Sequence, residues 1–298
     1  MHRVIERVLL KGPVLTDGAW GTQLQQRGLG VGEFPDLWNL EKPERVKEVA
    51  KSYVEAGSQI ILTNTFGANR IRLREVGAAE KIVQINRSGV EISRQAAAGC
   101  AKVFASMGPS GKFLLNGDVS QEELRNTFEE QAQTLAEAGA EGLVVETMSD
   151  LDEARLAVAA AHETGLPVIA CMVFDSGRDK DRTMMGQTPQ EAARVLTEAG
   201  ADVIGANCGQ GIGGFVAVCR RLRSVSNHPI WIKPNAGLPT VHEGKPQYHV
   251  KPDEFAAFVP ELIAAGANFI GGCCGTSPEF VAAMARRRES DASGQFSI

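Results

Sequence analysis

Glu137-Ala138-Gly139-Ala140, followed one residue later by the apolar run Gly142-Leu143-Val144-Val145-Glu146, is the stretch that decides the fold. Helix-forming residues precede Gly139, and β-branched residues follow it. A glycine just past the end of a helix readily adopts the left-handed conformation that stops helices, and β-branched runs favour strands. This junction therefore predicts the helix-to-strand half of a βα repeat.

The same junction recurs along the chain, at Glu55-Ala56-Gly57-Ser58, Glu198-Ala199-Gly200-Ala201 and Ala264-Ala265-Gly266-Ala267. Eight strand-like runs can be placed around these junctions, at residues 14–17, 59–63, 102–107, 142–146, 167–174, 202–206, 230–234 and 268–272. Eight strands, each followed by helix-forming sequence, predict a (β/α)8 barrel of the α/β class in a single domain. We expect this barrel to span residues 1–288 and residues 289–298, which lack periodicity, to form a disordered tail.

An open, doubly wound sheet is the alternative arrangement of such repeats. That fold has a glycine-rich, phosphate-binding turn after its first strand. The corresponding turn here is Asp17-Gly18-Ala19-Trp20-Gly21-Thr22, which does not fit the G-x-G-x-x-G pattern. The sequence therefore favours the barrel.

The composition excludes several classes of partner. Charged residues make up 22% of the chain and the formal net charge is -5. The one dense basic run, Arg286-Arg287-Arg288, is typical of the solvated end of a last helix, so we expect no nucleic-acid binding. We also expect no membrane contact, because no apolar run is long enough to cross a bilayer. The charged start of the chain is unlike a signal peptide, which predicts a cytoplasmic protein.

Six cysteines stand at positions 100, 171, 208, 219, 273 and 274. In the reducing cytoplasm, cysteines serve metal binding or catalysis more often than disulfides. Cys100, Cys171 and Cys219 lie in apolar surroundings, and we interpret them as small core residues.

Polar residues stand at or just past the C-terminal ends of the predicted strands, namely Asp17, Asn64, Glu146, Asn207, Cys208, Asn235, Cys273 and Cys274. In a barrel these ends converge on one mouth, where active sites lie. The sequence therefore predicts that residues more than 250 positions apart share one pocket.

Three of these residues form a candidate zinc site with an open position. Cys208 follows the sixth strand, and Cys273-Cys274 follows the eighth, where three glycines let the backbone bend sharply. Three thiolates leave one tetrahedral position for water, a weak protein oxygen or a substrate. Asn235 is a candidate for that oxygen, although a turn role suits it equally. The alternative for the adjacent cysteines is simple burial or a strained redox disulfide.

A thiol substrate at the open position would have its pKa lowered and would be held as a thiolate. With three anionic ligands already present, the bound sulfur should stay nucleophilic, which suits alkyl transfer better than hydrolysis. Asp17 and Glu146 could pair with an ammonium group, and the backbone N–H groups from Gly18 to Thr22 could receive a carboxylate. Thiol, ammonium and carboxylate together describe an amino-acid thiol.

These residues resemble the homocysteine S-methyltransferase family, and more closely the homocysteine-binding module of cobalamin-dependent methionine synthases. The segments that carry the resemblance are Asp17-Gly18-Ala19-Trp20-Gly21-Thr22, Asp36-Leu37-Trp38-Asn39, Thr63-Asn64-Thr65-Phe66, Glu146-Thr147-Met148-Ser149-Asp150, Gly186-Gln187-Thr188, Asn207-Cys208, Pro234-Asn235-Ala236-Gly237-Leu238-Pro239 and Gly271-Gly272-Cys273-Cys274-Gly275-Thr276-Ser277-Pro278-Glu279. The resemblance implies a zinc-dependent (β/α)8 enzyme that methylates homocysteine to methionine.

The resemblance also implies roles for individual residues. Cys208, Cys273 and Cys274 correspond to the zinc ligands, and Asn235 resembles the weak fourth ligand of the methionine synthase branch. Asp17 and Glu146 correspond to contacts with the homocysteine amino group. We place Gly18, Thr22 and Asn207 with them as substrate-binding residues.

The methyl donor is less well defined by the sequence. Thr147 stands where the betaine-using branch has tyrosine, which disfavours betaine, and Trp20 replaces a smaller residue on the pocket floor. No Asp-x-His-x-x-Gly cobalamin loop is present, so we expect a methylcorrinoid donor to come on a separate protein. S-Methylmethionine or S-adenosylmethionine is the main alternative donor and betaine a further one, and a non-catalytic zinc and homocysteine-binding partner is the alternative function.

Overall fold

The computed structural model describes residues 1–242 and 245–292, and it contains all eight predicted strands. They are β1 (Val14–Leu15), β2 (Ile60–Ile61), β3 (Lys102–Val103, continuing as Ala105–Met107), β4 (Leu143–Met148), β5 (Val168–Met172), β6 (Val203–Cys208), β7 (Ile230–Pro234) and β8 (Ala267–Ile270). A short antiparallel hairpin pairs Thr240–His242 with Lys245–Gln247.

The eight strands close into a ring. Neighbouring strands pair in parallel in the order β3, β4, β5, β6, β7, β8, β1, and β2 pairs with the other edge of β3. A parallel bridge between Thr16 and Ile60 joins β1 to β2, so every strand has two neighbours. The predicted (β/α)8 barrel is therefore confirmed.

Helices surround the barrel and connect successive strands. The α-helices are Arg3–Leu9, Gly21–Gln26, Trp38–Glu41, Pro43–Glu55, Arg70–Glu75, Ile82–Ala97, Gln121–Glu137, Leu151–His162, Pro189–Glu198, Ile212–Arg223, Pro252–Ala256, Val259–Ala264 and Pro278–Ala292, with 3-10 turns at Pro35–Leu37, Ala79–Lys81 and Leu114–Asn116. Side-chain caps start several of them: Asp150 accepts hydrogen bonds from the first turn of its helix, and Thr188 forms a capping box with Glu191.

Side chains point alternately into and out of the barrel along each strand, so one core fills the barrel and another lies between the barrel and the helices. The side chains inside the barrel include those of Val144 on β4 and Trp231 on β7, and Ile5 of the first helix closes the bottom. Trp231 packs against Phe269 with ring centroids 5.1 Å apart. Since side chains two residues apart share a face, Glu146 and Lys233 are the next inward positions toward the mouth. The apolar core therefore supports a charged layer directly above it.

The structure tests two expectations about residues far from the barrel mouth, namely the buried cysteines and the basic run of the last helix. Cys171 and Cys219 are buried as expected, but the prediction for Cys100 was wrong: this residue is exposed, because it lies in the turn after the helix Ile82–Ala97. Of the basic run expected to be solvated, Arg286 is exposed, whereas Arg288 is only partly exposed and donates to Pro13 O and Gln59 Oε1 at the base of the barrel.

The last helix includes residues 289–292, which the sequence had placed in the tail, and residues 293–298 lie outside the described part of the chain. None of the described helices has the length and apolar character needed to span a membrane.

Candidate active site and metal centre

Three cysteines meet at the mouth of the barrel. Cys208 is the last residue of β6, and Cys273 and Cys274 follow β8. The sulfur of Cys208 lies 3.2 Å from that of Cys273 and 3.9 Å from that of Cys274, and all three sulfurs lie within 4.8 Å of one another. Tetrahedral thiolate sites with metal–sulfur bonds of about 2.3 Å separate their sulfurs by about 3.8 Å. All three are free cysteines whose spacing fits one metal ion.

The backbone around the cysteines is unusual in conformation and tightly tied. Cys208 adopts φ 63°, a left-handed conformation that residues with a side chain rarely take. Cys273 N donates to Pro234 O at 2.7 Å, and Ala236 N donates to Cys274 O at 2.9 Å. Strained residues cluster at functional sites because the surroundings hold them in place. The loops after β6, β7 and β8 therefore form one rigid support for the three sulfurs.

Asn235 lies in the same support and has an unused acceptor. Its backbone N donates to Cys208 O at 3.1 Å, and its Nδ2 donates to Gly209 O at 2.7 Å. Its Oδ1 is buried and has no hydrogen-bond partner among the described residues. A buried amide oxygen is rarely left unsatisfied. This unpartnered amide oxygen is therefore a candidate for a fourth, neutral metal ligand.

Hydrogen bonds among the three thiols shift their pKa values in opposite directions. Hydrogen bonds from Cys208 and Cys273 lower the pKa of Cys274 to about 3. The hydrogen bond to Cys273 and the neighbouring charges raise the pKa of Cys208, because a second thiolate would lie beside the first. Such a cluster needs a cation before all three sulfurs can be thiolates.

Thr147 and Tyr248, to which the sequence assigned no role in the site, lie beside this cluster. Asn207, which we had predicted to bind substrate, exchanges two hydrogen bonds of 2.7 Å with Thr147 and directs Nδ2 toward Cys273 Sγ at 3.8 Å. Thr147 has φ 61° at a bulge in β4, a feature that often re-aims side chains near active sites. The ring of Tyr248 packs on Gly275, where an added Cβ would lie 2.2 Å from the ring.

The predicted carboxylates lie on the floor of the same mouth, but they are not equivalent. Asp17 is fully buried, and its Oδ2 accepts from Leu62 N at 2.7 Å and Trp20 Nε1 at 2.8 Å. Its Oδ1 accepts from Lys233 Nζ at 2.5 Å. Glu146 accepts from Ser106 Oγ at 2.5 Å through Oε1. The floor thus holds one lysine and two carboxylates, and the lysine is bonded to Asp17.

Burial dominates the titration of these groups. Desolvation raises the pKa of Glu146 to about 7, although the positive charge of Lys233 opposes the shift. Desolvation would lower the pKa of Lys233, but Asp17 and Glu146 together outweigh it and raise that pKa. Lys233 is therefore cationic in the folded protein, while Glu146 changes charge near neutral pH.

Lys233 was missed by the sequence interpretation. A lysine inside the apolar run Ile230-Trp231-Ile232-Lys233-Pro234 is a signal, because a charge on a buried strand needs a partner. Tyr248 gave no comparable signal, since its contact with Gly275 depends on how the hairpin folds back.

A cavity of about 710 Å³ connects these groups to solvent. Its lining includes the three cysteines, Glu146, Lys233, Gly18 and Thr22. Thr22 Oγ1 is buried without a hydrogen-bond partner, whereas Ala19 N is already bonded to Thr276 Oγ1 at 3.1 Å. The cavity is large enough for an amino acid together with part of a second reactant.

Comparison with known proteins agrees with this site. A family model described as homocysteine S-methyltransferase matches residues 14–288. The chain is 30% identical over 288 residues to the methionine synthase of Mycobacterium leprae and 30% identical over 300 residues to that of Mycobacterium tuberculosis. These alignments cover 90% and 93% of the chain but only 24% and 25% of the relatives, so the chain spans about a quarter of their length.

A solved structure resembles the whole barrel. The homocysteine methyltransferase MmuM of Escherichia coli, in its metallated form, superposes with a TM-score of 0.78 at 25% sequence identity. The match covers 95% of this chain and 99% of that one. Since the family model extends over nearly the entire chain, the chain belongs to the homocysteine S-methyltransferase family of enzymes.

Proposed function

We propose that the chain is a zinc-dependent methyltransferase that binds homocysteine and transfers a methyl group to its sulfur, giving methionine. The observation that carries this proposal is the convergence of Cys208, Cys273 and Cys274 within 4.8 Å beside a cavity with a charged floor. Family membership supports homocysteine as the acceptor. A reducing cytoplasm, expected from the sequence, would keep the thiols available for metal.

Zinc fits the donor set of this site. Three thiolates are the soft ligands that zinc prefers, and the unpartnered Oδ1 of Asn235 supplies a weak fourth donor. When bound, zinc would lower the pKa of an acceptor thiol and hold the sulfur as a nucleophilic thiolate. Asn207, through its contact with Cys273, would orient that ligand.

The remaining residues would orient the acceptor. Glu146 and Asp17 give this end of the pocket the negative charge that an ammonium group requires, and Ser106 hydrogen-bonds to the Glu146 carboxyl. The unpartnered hydroxyl of Thr22 and the backbone of Gly18 provide hydrogen-bonding groups for a carboxylate. Holding both ends of the amino acid would aim its sulfur at the cysteine cluster and toward the open side of the cavity, from which the methyl donor must approach.

For the donor, we propose a methylcorrinoid protein that docks on the mouth of the barrel. The support is the similarity to two methionine synthases, of which the chain matches about a quarter. S-Methylmethionine or S-adenosylmethionine is the alternative, because the solved homocysteine methyltransferase MmuM is matched over 99% of its length by this single barrel, which holds no cobalamin-binding motif.

The experiment is a donor panel combined with metal analysis. The purified protein should contain about one zinc per chain and should form methionine from homocysteine with a methylcorrinoid protein. Activity with S-methylmethionine alone would replace the donor assignment. Cys208→Ala should lose zinc and activity while keeping the fold, whereas Cys100→Ala, at an exposed cysteine, should keep all three. Stoichiometric zinc in Cys208→Ala would contradict the ligand assignment.

A further inference from the structure

Lys233 lies where the acceptor's ammonium group is expected to bind. Its side chain projects into the barrel one inward position above Trp231, is 2% exposed, and borders the cavity. Its ammonium group is 2.5 Å from Asp17 Oδ1. Buried lysines require a charged partner, and here the partner is one of the two carboxylates proposed to bind substrate.

Asp17 has little capacity left for a substrate. One oxygen bonds to Lys233, and the other accepts from both Leu62 N and Trp20 Nε1. Glu146 differs, because only its Oε1 is engaged, by Ser106, and its second oxygen accepts no hydrogen bond from the described residues. The vacant carboxylate oxygen in the pocket is therefore that of Glu146.

The formal charges of the floor residues also indicate that Glu146, and not Asp17, binds the ammonium group. The formal charges of Asp17, Glu146 and Lys233 sum to one negative charge, which matches a single ammonium group. Lys233 cancels the charge of its bonded partner, so the uncompensated charge resides on Glu146. An acceptor's ammonium group would meet attraction from Glu146 and repulsion from Lys233.

We propose that Lys233 is a specificity-determining residue that keeps Asp17 from the acceptor and leaves Glu146 as the carboxylate that binds its ammonium group. This inference rests on the proposed function, since it assumes an amino-acid thiol as acceptor. It assigns Asp17 a positioning role toward Lys233 and Trp20. The net negative charge of the pocket floor then selects amino-acid thiols, and in the wild-type protein Glu146 carries that charge.

The test compares two acceptors that differ only in the amino group, homocysteine and 4-mercaptobutyrate. Calorimetry on the zinc-loaded protein gives a dissociation constant for each, and their ratio measures the preference for the ammonium group. Glu146→Gln should lower this preference at least about tenfold, the usual effect of losing a charged hydrogen bond. Lys233→Arg keeps the charge and should leave the preference within about threefold of wild type.

The decisive variant combines Glu146→Gln with Lys233→Met. It restores a floor charge of one negative unit and frees an oxygen of Asp17, so the preference should return to within about threefold of wild type. A double variant as poor as Glu146→Gln, with zinc content and melting temperature intact, would overturn the inference. If the Met variant does not fold, Lys233→Gln makes the same charge change with a polar side chain. Failure of the wild-type protein to bind either thiol would instead contradict the proposed function.

Discussion

Replacing Glu146 by Gln should stabilise the fold at alkaline pH. The folded protein holds this carboxyl at a pKa of about 7, against an ordinary value of 4.5, mainly because burial disfavours its charge. The folded state therefore binds the proton more tightly than the unfolded state. Stability from this group is fully present below pH 4.5 and is lost as the pH rises through 7. Glutamine keeps an acceptor for Ser106 and removes the ionisation.

The magnitude follows from the two pKa values. At pH 8 the ionised Glu146 costs about 3 kcal/mol of folding free energy, whereas at pH 5 the cost is below about 1 kcal/mol. Glu146→Gln should raise the free energy of unfolding by nearly these amounts, so the gain at pH 8 exceeds that at pH 5 by about 2 kcal/mol. The same variant should bind homocysteine more weakly, which would be a stability–function trade-off.

Urea unfolding of the reduced, metal-free protein at pH 5 and pH 8 measures this difference without a contribution from metal release. Glu137→Gln, at an exposed position on the helix Gln121–Glu137, is the matched control and should change stability little at either pH. An equal effect of Glu146→Gln at both pH values, or a loss of stability at pH 8, would refute burial as the origin of the raised pKa.

Three further substitutions test the metal support and the floor. Asn235→Ala should weaken zinc binding about tenfold to a hundredfold without unfolding the barrel, as measured by chelator competition; unchanged affinity would return Asn235 to a turn role. Gly275→Ala should lower stability by about 1–3 kcal/mol and displace Cys274, because φ is 81° and the new Cβ would meet the Tyr248 ring; thermal melting and zinc content check this. Trp20→Phe removes one of the N–H donors to Asp17 and should cost about 1 kcal/mol in thermal stability, with a larger pocket but unchanged zinc content.

The sequence predicts the barrel well because each βα junction is local. The glycine after Ala138 and the apolar run that follows it lie within about ten residues, so neither depends on distant contacts. The positions of the three cysteines follow from the same rule, since the C-terminal ends of all barrel strands meet at one mouth. Their separation of 3.2–3.9 Å from Cys208 is a tertiary result that the sequence could suggest only through family resemblance.

Hydrogen-bond partners are harder to predict than positions. Asn207 lies at the mouth, as predicted, but its amide hydrogen-bonds to Thr147. Thr147 has a left-handed conformation at a bulge that no sequence pattern predicts. Cys100 was placed in the core because its neighbours are small and apolar, but the turn that it occupies faces solvent. In both cases the outcome depends on how two segments meet.

The charged floor shows how an inward-facing layer can be derived once the register is known. Val144 and Trp231 point into the barrel, so Glu146 and Lys233, two residues further along the same strands, must do so as well. Two carboxylates alone at this depth would repel each other and resist ionisation. Lys233 forms an ion pair with Asp17, whereas Glu146 lacks a direct cationic partner and its burial raises its pKa to about 7. An arriving ammonium group would provide that partner, so the floor is stabilised by the acceptor that it selects.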